Sequence, residues 1–301
     1  MQVTAQDLLD ALYFAFGDHR SRALYAKGVL LEGRFVPDPG ARTLSSATLF
    51  AHKQVAVLAR FSNFTGIPTL PDTAADANPR GLALKFHTPS AAELDVVAHS
   101  FNGFPTRTSA EFRQLLLAIG LSRAGAAAPT ALDRFLAAHP AAKSFFAATR
   151  PLPVSYATLG YFGVNAFRFT NPHGEPCYVR YRFVPRAGEQ YLDPASASVA
   201  GPDYLAEEIR QRSAREPILF DWTAQIAEPG DTLDDPSVSW PQTRRLQRLG
   251  LIMLTQLAPD QVGQDRKTLF LPANLPDGIA AADPMLAMRC AAHPLSYRHR
   301  Q

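Results

Sequence analysis

The chain has 301 residues, of which 47% are hydrophobic and 19% charged, a balance typical of a globular protein with a large core. Its formal net charge is +3, and the basic residues are spread along the chain rather than gathered in a block, which argues against a nucleic-acid partner. Two cysteines, Cys177 and Cys290, form neither a disulfide framework nor a zinc-ligand spacing, and no segment is apolar enough to span a bilayer. We therefore expect a cytoplasmic protein with reduced thiols and no membrane partner.

The first third of the chain predicts one short helix followed by strands. Thr4 precedes an apolar run that ends at Gly17, as in a capped amphipathic helix. Alternating or apolar strand patterns follow in the second half of 22–35 and in 48–62, 81–88 and 94–101. Because no long helix separates these strands, they predict an antiparallel sheet.

The rest of the chain predicts helices in the middle and a second set of strands. Helix-like apolar spacing covers 109–121 and 131–148, with an Ala/Gly/Pro-rich connector between them. Strand patterns return in 163–169, 178–183, 218–226 and 249–257. Two sets of strands predict an α+β fold with a closed antiparallel β-barrel core and surrounding helices. No convincing linker interrupts residues 1–301, which indicates a single domain.

The final stretch, 289–300, carries an unusual set of side chains. In a helix, residues three and four apart share a face, so Arg289, His293, Tyr297 and Arg300 can point at one partner. An imidazole or a phenol can coordinate a metal, and arginines hold carboxylates by forked hydrogen bonds. This face therefore predicts haem, although a solvated face of a helix that covers the domain is the simpler alternative.

Several segments in a fixed order resemble the catalase family, and in particular its compact branch of catalase-related peroxidases. They are RALYAKG at 22–28, similar to Arg-x-x-His-Ala-Lys-Gly; RFS at 60–62; NPRGLALKF at 78–86, similar to Asp-Pro-Arg-Gly-Phe-Ala-x-Lys-Phe; DVVAH at 95–99, similar to Asp-Leu-Val-Gly-Asn; and the closing stretch, similar to the Arg-x-x-x-Tyr-Pro helix. The resemblance covers nearly the whole chain. It implies a catalase-like barrel with a haem b pocket between the barrel and a C-terminal proximal helix.

The resemblance also implies roles for individual residues. Arg22, Arg60 and Arg300 stand where the family places arginines on the haem propionates. Arg289 stands one helical turn before the proximal ligand position. Ser62 falls near the distal pocket, and Phe61 is expected to form part of the pocket wall together with Phe86 and Phe104.

The residues expected nearest the iron differ from the family pattern. Tyr25 replaces the distal histidine, His293 replaces the proximal tyrosine, and His99 stands at the distal asparagine position of the large catalases. Tyrosine titrates near about 10, so Tyr25 is expected to donate a hydrogen bond rather than act as a base. Loss of a general base typically costs roughly a hundred- to ten-thousand-fold in rate. His99 could replace that base, or it could be a structural histidine satisfied by the backbone.

The proximal ligand is expected to be His293. A coordinated neutral imidazole needs an acceptor for its remaining N–H, and Arg289 offers only donors, so the two are chemically mismatched. Tyr297 is an alternative ligand one turn further along the helix, and Cys290 is a third that would need a distorted helix.

These features predict a haem-dependent oxidoreductase of the catalase-related type, with peroxide and a small organic substrate as its partners and little true catalase activity. A non-catalytic haem carrier or gas-binding protein is the alternative, and a barrel that has lost haem and binds another small molecule is a third. Association into a homo-oligomer is expected because members of the family commonly associate.

Overall fold

The structure is a computed structural model that describes residues 3–88, 93–148 and 151–301. Its centre is an antiparallel sheet of the strands β1 (Gly28–Pro37), β2 (Val55–Asn63), β3 (Arg80–His87), β4 (Glu93–His99), β5 (Tyr161–Thr170), β6 (Pro176–Pro185), β7 (Ile218–Ile226) and β8 (Leu246–Leu257). The strand order is β4-β3-β2-β1-β8-β7-β6-β5, and pairing of His99 with Phe162 joins β4 to β5. A short strand, β9 (Ile279–Ala281), pairs antiparallel with β5. The predicted closed barrel is confirmed.

The interior of the barrel is filled by aromatic side chains. Trp222, fully buried, stacks on Phe86 with ring centroids 5.2 Å apart and contacts Phe35 at 5.3 Å. Successive residues of a strand point to opposite faces. Each barrel strand can therefore give alternate residues to this core and to the layer outside the barrel.

Helices cover the outside of the barrel. They are α1 (Ala5–Phe16), α2 (Ser109–Leu121), α3 (Ala131–Ala138), α4 (Pro140–Ala147), α5 (Pro194–Val199), α6 (Tyr204–Ser213), α7 (Gln261–Lys267) and α8 (Pro284–His299). As predicted, Thr4 caps α1, because its hydroxyl accepts from the Asp7 amide while the Asp7 carboxylate accepts from the Thr4 amide. Apolar residues of α1 pack with those of α2 and α8 in a second core outside the barrel.

Three expectations differ from the structure in detail. The pattern over 131–148 forms two helices, because a proline disfavours the α conformation of the residue before it. His139, which precedes Pro140, has φ −127° and ψ 87° and so interrupts the helix. The pattern over 48–62 begins with a 3₁₀ turn, Thr48–Ala51, before β2. Helices α5, α6 and α7 were not predicted, since they are short or strongly polar.

Within the three described ranges, none of the helices has both the length and the apolar character required to cross a membrane.

Candidate functional site

A cavity lies outside the barrel, between strands β2 to β4 and the helices α1, α2 and α8. Its walls are mainly apolar, with Leu8, Leu9 and Leu12 from α1 and Phe112 from α2. The predicted site residues that line it are Arg22, Tyr25, Arg60, Ser62, His99, Arg289, His293 and Arg300. Residues from both ends of the sequence therefore meet at one cavity.

Strand and helix periodicity explain how these side chains reach the cavity. Arg60 and Ser62 are two residues apart on β2 and share a face, while Gly81 on β3 pairs with His99 on β4. Helix α8 faces the cavity with residues spaced by three and four, namely Met285, Met288, Arg289, Ala292, His293, Ser296 and Arg300.

Phe61 lies elsewhere, contrary to expectation. It is fully buried in the barrel interior, where it stacks on Tyr156 with ring centroids 5.4 Å apart. The reason is the alternation along β2, which turns Arg60 and Ser62 to the cavity and the residue between them to the barrel core. Phe86 is likewise in the barrel core, and Phe104 is the aromatic residue of the three that lines the cavity.

The alternative ligands do not line the cavity. The ring of Tyr297 lies beneath the Arg300 guanidinium, 4.9 Å from ring centroid to Cζ. Cys290 packs against the barrel core, and burial raises the pKa of its thiol, which disfavours the thiolate that a metal needs.

His293 has a defined protonation state. Its Nδ1 lies 2.8 Å from the main-chain oxygen of Phe270, and a carbonyl only accepts, so Nδ1 carries the proton. Desolvation, followed by the nearby Arg289 cation, lowers the pKa of His293 to about 4. The imidazole is therefore neutral near pH 7, and its Nε2 keeps a free lone pair. The Phe270 carbonyl is the acceptor that Arg289 could not provide.

Arg289, mismatched with His293, is hydrogen-bonded to an asparagine instead. Its Nη1 donates to Asn165 Oδ1 at 2.7 Å, and Asn165 Nδ2 donates to Asp283 Oδ2 at 2.7 Å. Burial lowers the pKa of Arg289 and raises the pKa of Asp283. The amide thus connects a partly buried cation to a buried carboxylate. Sequence reasoning missed this pair, although a single asparagine within the apolar strand β5 was a signal.

A second missed residue, Asp265, lies among the arginines. Arg60 Nε donates to its Oδ1 at 2.6 Å, and Arg22 Nη2 donates to the same oxygen at 3.0 Å. Burial acts to raise the pKa of Asp265, but the two cations lower it to about 2. The Thr268 carbonyl accepts from both Arg22, at 2.9 Å, and Arg300, at 2.7 Å. No sequence signal pointed to Asp265, since it lies on a short polar helix far along the chain from its partners.

Tyr25 and His99, from the N-terminal half of the chain, line the same cavity as the residues of α8. Burial raises the pKa of Tyr25, so its phenol stays protonated at neutral pH. His99 is 5% exposed, and its ring contacts Phe104 and Phe145 at centroid distances of 6.4 and 6.5 Å. Tyr25 thus offers a donor, and His99 a titratable ring, to the same cavity.

The donor set fits a metal-bearing cofactor with carboxylate groups. His293 offers one neutral imidazole nitrogen, and Arg300 Nε is a buried donor with no hydrogen-bond partner among the described residues. Anionic groups satisfy such donors, and imidazole is a common haem ligand. The barrel, the imidazole and the arginines together are the features expected of a β-barrel protein of the haem-binding class.

Comparisons with known proteins agree with that class. The sequence profile of the family described as Catalase matches residues 14–301. The chain is 33% identical to a catalase-related peroxidase of Synechococcus elongatus, over 99% of this chain and 89% of the relative. It is 34% identical to one of Mycolicibacterium paratuberculosis, over 93% of this chain and 88% of the relative. The chain belongs to the catalase family, in its compact catalase-related branch.

Solved catalase structures have the same fold. A fungal catalase superposes with a TM-score of 0.82 at 22% identity, and catalase A from Saccharomyces cerevisiae with 0.81 at 22%. The match covers 93% of this chain but 59% and 61% of those chains. Membership of the catalase-related branch makes the protein a peroxidase-like oxidoreductase and implies a haem cofactor.

Proposed function

We propose that this protein binds haem b through His293 and uses a peroxide to oxidise a small organic substrate, with little true catalase activity. The observation that carries the proposal is the neutral His293 imidazole. Its Nδ1–H donates to the Phe270 carbonyl, so the lone pair of Nε2 is available in a cavity bordered by arginines. A hydrogen bond of this kind fixes the tautomer of a ligating histidine and orients its ring. We take residues 1–301 as one haem domain.

The proximal side of the site would differ from that of a tyrosinate-ligated protein. When bound, haem supplies a redox-active iron that reacts with peroxides. His293 would hold it without adding a negative charge, whereas a tyrosinate adds one. The engagement of Arg289 with Asn165 is consistent with a neutral ligand, because the cation then has no anionic ligand to stabilise.

The propionates would lie at the arginine end of the cavity. Arg300 Nε is buried without a partner, and Arg22 Nη1 makes no hydrogen bond to the described residues, so both retain donors for a carboxylate. Arginine suits this role because its planar fork matches carboxylate geometry.

On the distal side, Tyr25 would donate a hydrogen bond and His99 would transfer a proton. Tyr25, protonated because burial raises its pKa, can donate a hydrogen bond to a bound oxygen atom but cannot remove a proton efficiently. His99, on the same cavity, is the candidate to move the proton, and Ser62 would add a hydroxyl beside them. Replacement of the usual base by a phenol is the reason that we expect little catalase activity.

An organic substrate is favoured by the cavity walls. Leu8, Leu9, Leu12 and Phe112 line the cavity from α1 and α2, so an apolar molecule would be retained better than a small polar one. The cytoplasmic location and the homo-oligomer stay predictions.

The first experiment is the absorption and resonance Raman spectrum of the haem-reconstituted protein and of His293→Ala. We expect the reduced wild type to have an iron–imidazole stretching band and the variant to lose it. Tyr297→Phe and Cys290→Ala are matched controls on the same helix, and both should keep the band. A band that persists in His293→Ala, or its replacement by a phenolate signature that depends on Tyr297, would overturn the assignment.

Turnover is tested separately with peroxide and a phenolic dye. We expect the wild type to oxidise the dye. The rate should fall by roughly a hundredfold or more in His99→Ala, as for loss of a general base. Haem binding without any peroxide-dependent oxidation would instead favour the carrier function. Failure to take up haem would exclude both functions.

A further inference from the structure

The main chain of Tyr25 is in an unfavourable conformation. Its φ is +57°, and among the described residues other than glycine only Arg20 shares a positive φ. For a residue with a side chain, the left-handed region is disfavoured because Cβ approaches the following carbonyl oxygen. Such a conformation persists only where the surroundings hold it, and it is often found at functional sites.

Arg60 holds this segment through its carbonyl groups. Its Nη1 donates to the Tyr25 oxygen at 2.7 Å, and its Nη2 donates to the Ala26 oxygen at 2.9 Å. On the amide side, Tyr25 N–H donates to the Phe64 oxygen at 3.1 Å. The ring of Tyr25 also rests on Gly81, where an added Cβ would lie 2.7 Å from ring atom Cδ1. The tyrosine is thus fixed by its main chain and by its ring.

Arg60 is itself fixed by Asp265. Its Nε donates to Asp265 Oδ1 at 2.6 Å and its Nη2 to Oδ2 at 3.2 Å, while the Arg60 side chain is 3% exposed. Gly28 closes against the guanidinium, since a Cβ there would lie 2.6 Å from Cζ. All three guanidinium nitrogens of Arg60 are therefore engaged with the protein.

The other two arginines of the cluster differ from Arg60. Arg300 Nε is buried without a hydrogen-bond partner in the described ranges. Arg22 bonds through Nε and Nη2 to Asp265 and through Nη2 to Thr268, and makes no bond to described residues through Nη1. Arg60 uses four of its five N–H groups within the protein, so Arg22 and Arg300 retain more donors for a carboxylate ligand than Arg60 does.

We propose that Arg60 and Asp265 are positioning residues that hold the Tyr25 phenol at the distal face, a task separate from the propionate contacts already proposed for Arg22 and Arg300. This rests on the proposed haem function. It separates the three arginines into two tasks: one fixes the main chain of a distal residue, and two retain the cofactor.

The test on the haem-reconstituted protein uses carbon monoxide as the probe. A donor near the bound ligand lowers the C–O stretching frequency, so Tyr25→Phe should raise it. We expect Arg60→Lys and Asp265→Asn to shift the frequency in the same direction, with no further shift when either is combined with Tyr25→Phe. Non-additivity of this kind identifies residues that act through one group.

The rate of haem loss distinguishes the positioning role of Arg60 and Asp265 from the propionate-binding role of Arg300. Transfer of haem to apomyoglobin should quicken by about tenfold or more in Arg300→Gln, which loses a charge-assisted hydrogen bond, and by less than about threefold in Asp265→Asn. The proposal is overturned if Arg60→Lys and Asp265→Asn release haem as fast as Arg300→Gln, or if their frequency shifts add to that of Tyr25→Phe.

A readout without haem keeps the inference separate from the proposed function. In the haem-free full chain, hydrogen exchange at the Tyr25 and Ala26 amides should quicken by about tenfold or more in Asp265→Asn and Arg60→Lys, with no such change in Arg300→Gln. Unchanged exchange in both variants would overturn the positioning role even if haem binds. Failure of the wild type to bind haem would end the proposed function and the assigned propionate role, while the exchange data would still decide how Tyr25 is held.

Discussion

At the scale of single residues, the tautomer of His293, the proposed proximal ligand, depends on one contact from outside its helix. His293 and Arg289 are a chemically poor pair, yet both are accommodated, because the Phe270 carbonyl accepts from His293 and Asn165 accepts from Arg289. Each of these partly buried polar groups thereby has a partner of the correct kind, as polar groups removed from water generally require.

Stability of the haem-free protein should depend on the charge state of His293. Its pKa is about 4 in the fold against about 6.5 when unfolded, so the unfolded chain takes up the proton first. The free energy of unfolding that depends on neutral His293 is fully present above pH 6.5. It is lost as the pH falls from 6.5 toward 4. We expect about 2 kcal/mol less stability at pH 5 than at pH 7.5 from this group, measured by urea unfolding.

His293→Gln is the control, because glutamine does not titrate and the difference between the two proteins cancels all other groups. Asp265 loses its contribution only between about pH 3.8 and 2, below this window. Equal pH dependence in wild type and variant would show that His293 is not held neutral.

At the scale of elements, the helix boundaries explain which side chains reach the cavity. Helix α1 begins with a capping box at Thr4 and gives Leu8, Leu9 and Leu12 to the cavity wall. Helix α3 begins with the same device, Thr130 with Asp133, but lies away from the cavity. The chain thus has two helix caps of the same kind, one on a helix that lines the cavity and one on a helix that does not.

Thr4→Ala and Thr130→Ala should each lower the free energy of unfolding by about 1 kcal/mol, the usual loss for a threonine cap. Only Thr4→Ala should also quicken haem loss, since fraying of α1 opens the cavity wall. Urea unfolding and haem transfer to apomyoglobin measure the two effects. Equal haem loss in both variants would mean that α1 is not part of the wall that retains the cofactor.

At the scale of the whole molecule, the barrel divides its side chains between an aromatic interior and an outer cavity. Phe61 belongs to the interior, where it stacks on Tyr156, and Phe104 belongs to the cavity. The two phenylalanines therefore report on different parts of the fold.

Phe61→Leu should lower stability by roughly 1–2 kcal/mol through lost core volume, and should leave the carbon monoxide stretching frequency of the haem protein unchanged. Phe104→Leu is the matched comparison at the cavity and should shift that frequency. The measurements are urea unfolding and infrared spectroscopy. A shift in Phe61→Leu would place that residue at the site after all.

Much of the fold was predictable because its signals are local. The bounds of α2 and β7 agree with the apolar periodicity of 109–121 and 218–226, and the cap of α1 was visible in Thr4 and Gly17. The break at Pro140 was also a local signal, but the apolar pattern on either side of it concealed the break.

The sequence by itself determined the barrel, the helical face of Arg289, His293 and Arg300, and the residues that depart from the family pattern, because periodicity and motif order are written along the chain. Only the tertiary structure decided that Phe61 faces the barrel, that Phe270 accepts from His293, and that Asp265 meets Arg60 across 205 positions of sequence. The physical reason is that hydrogen-bond partners remote in sequence are chosen by the packing of strands and helices, which no local pattern encodes.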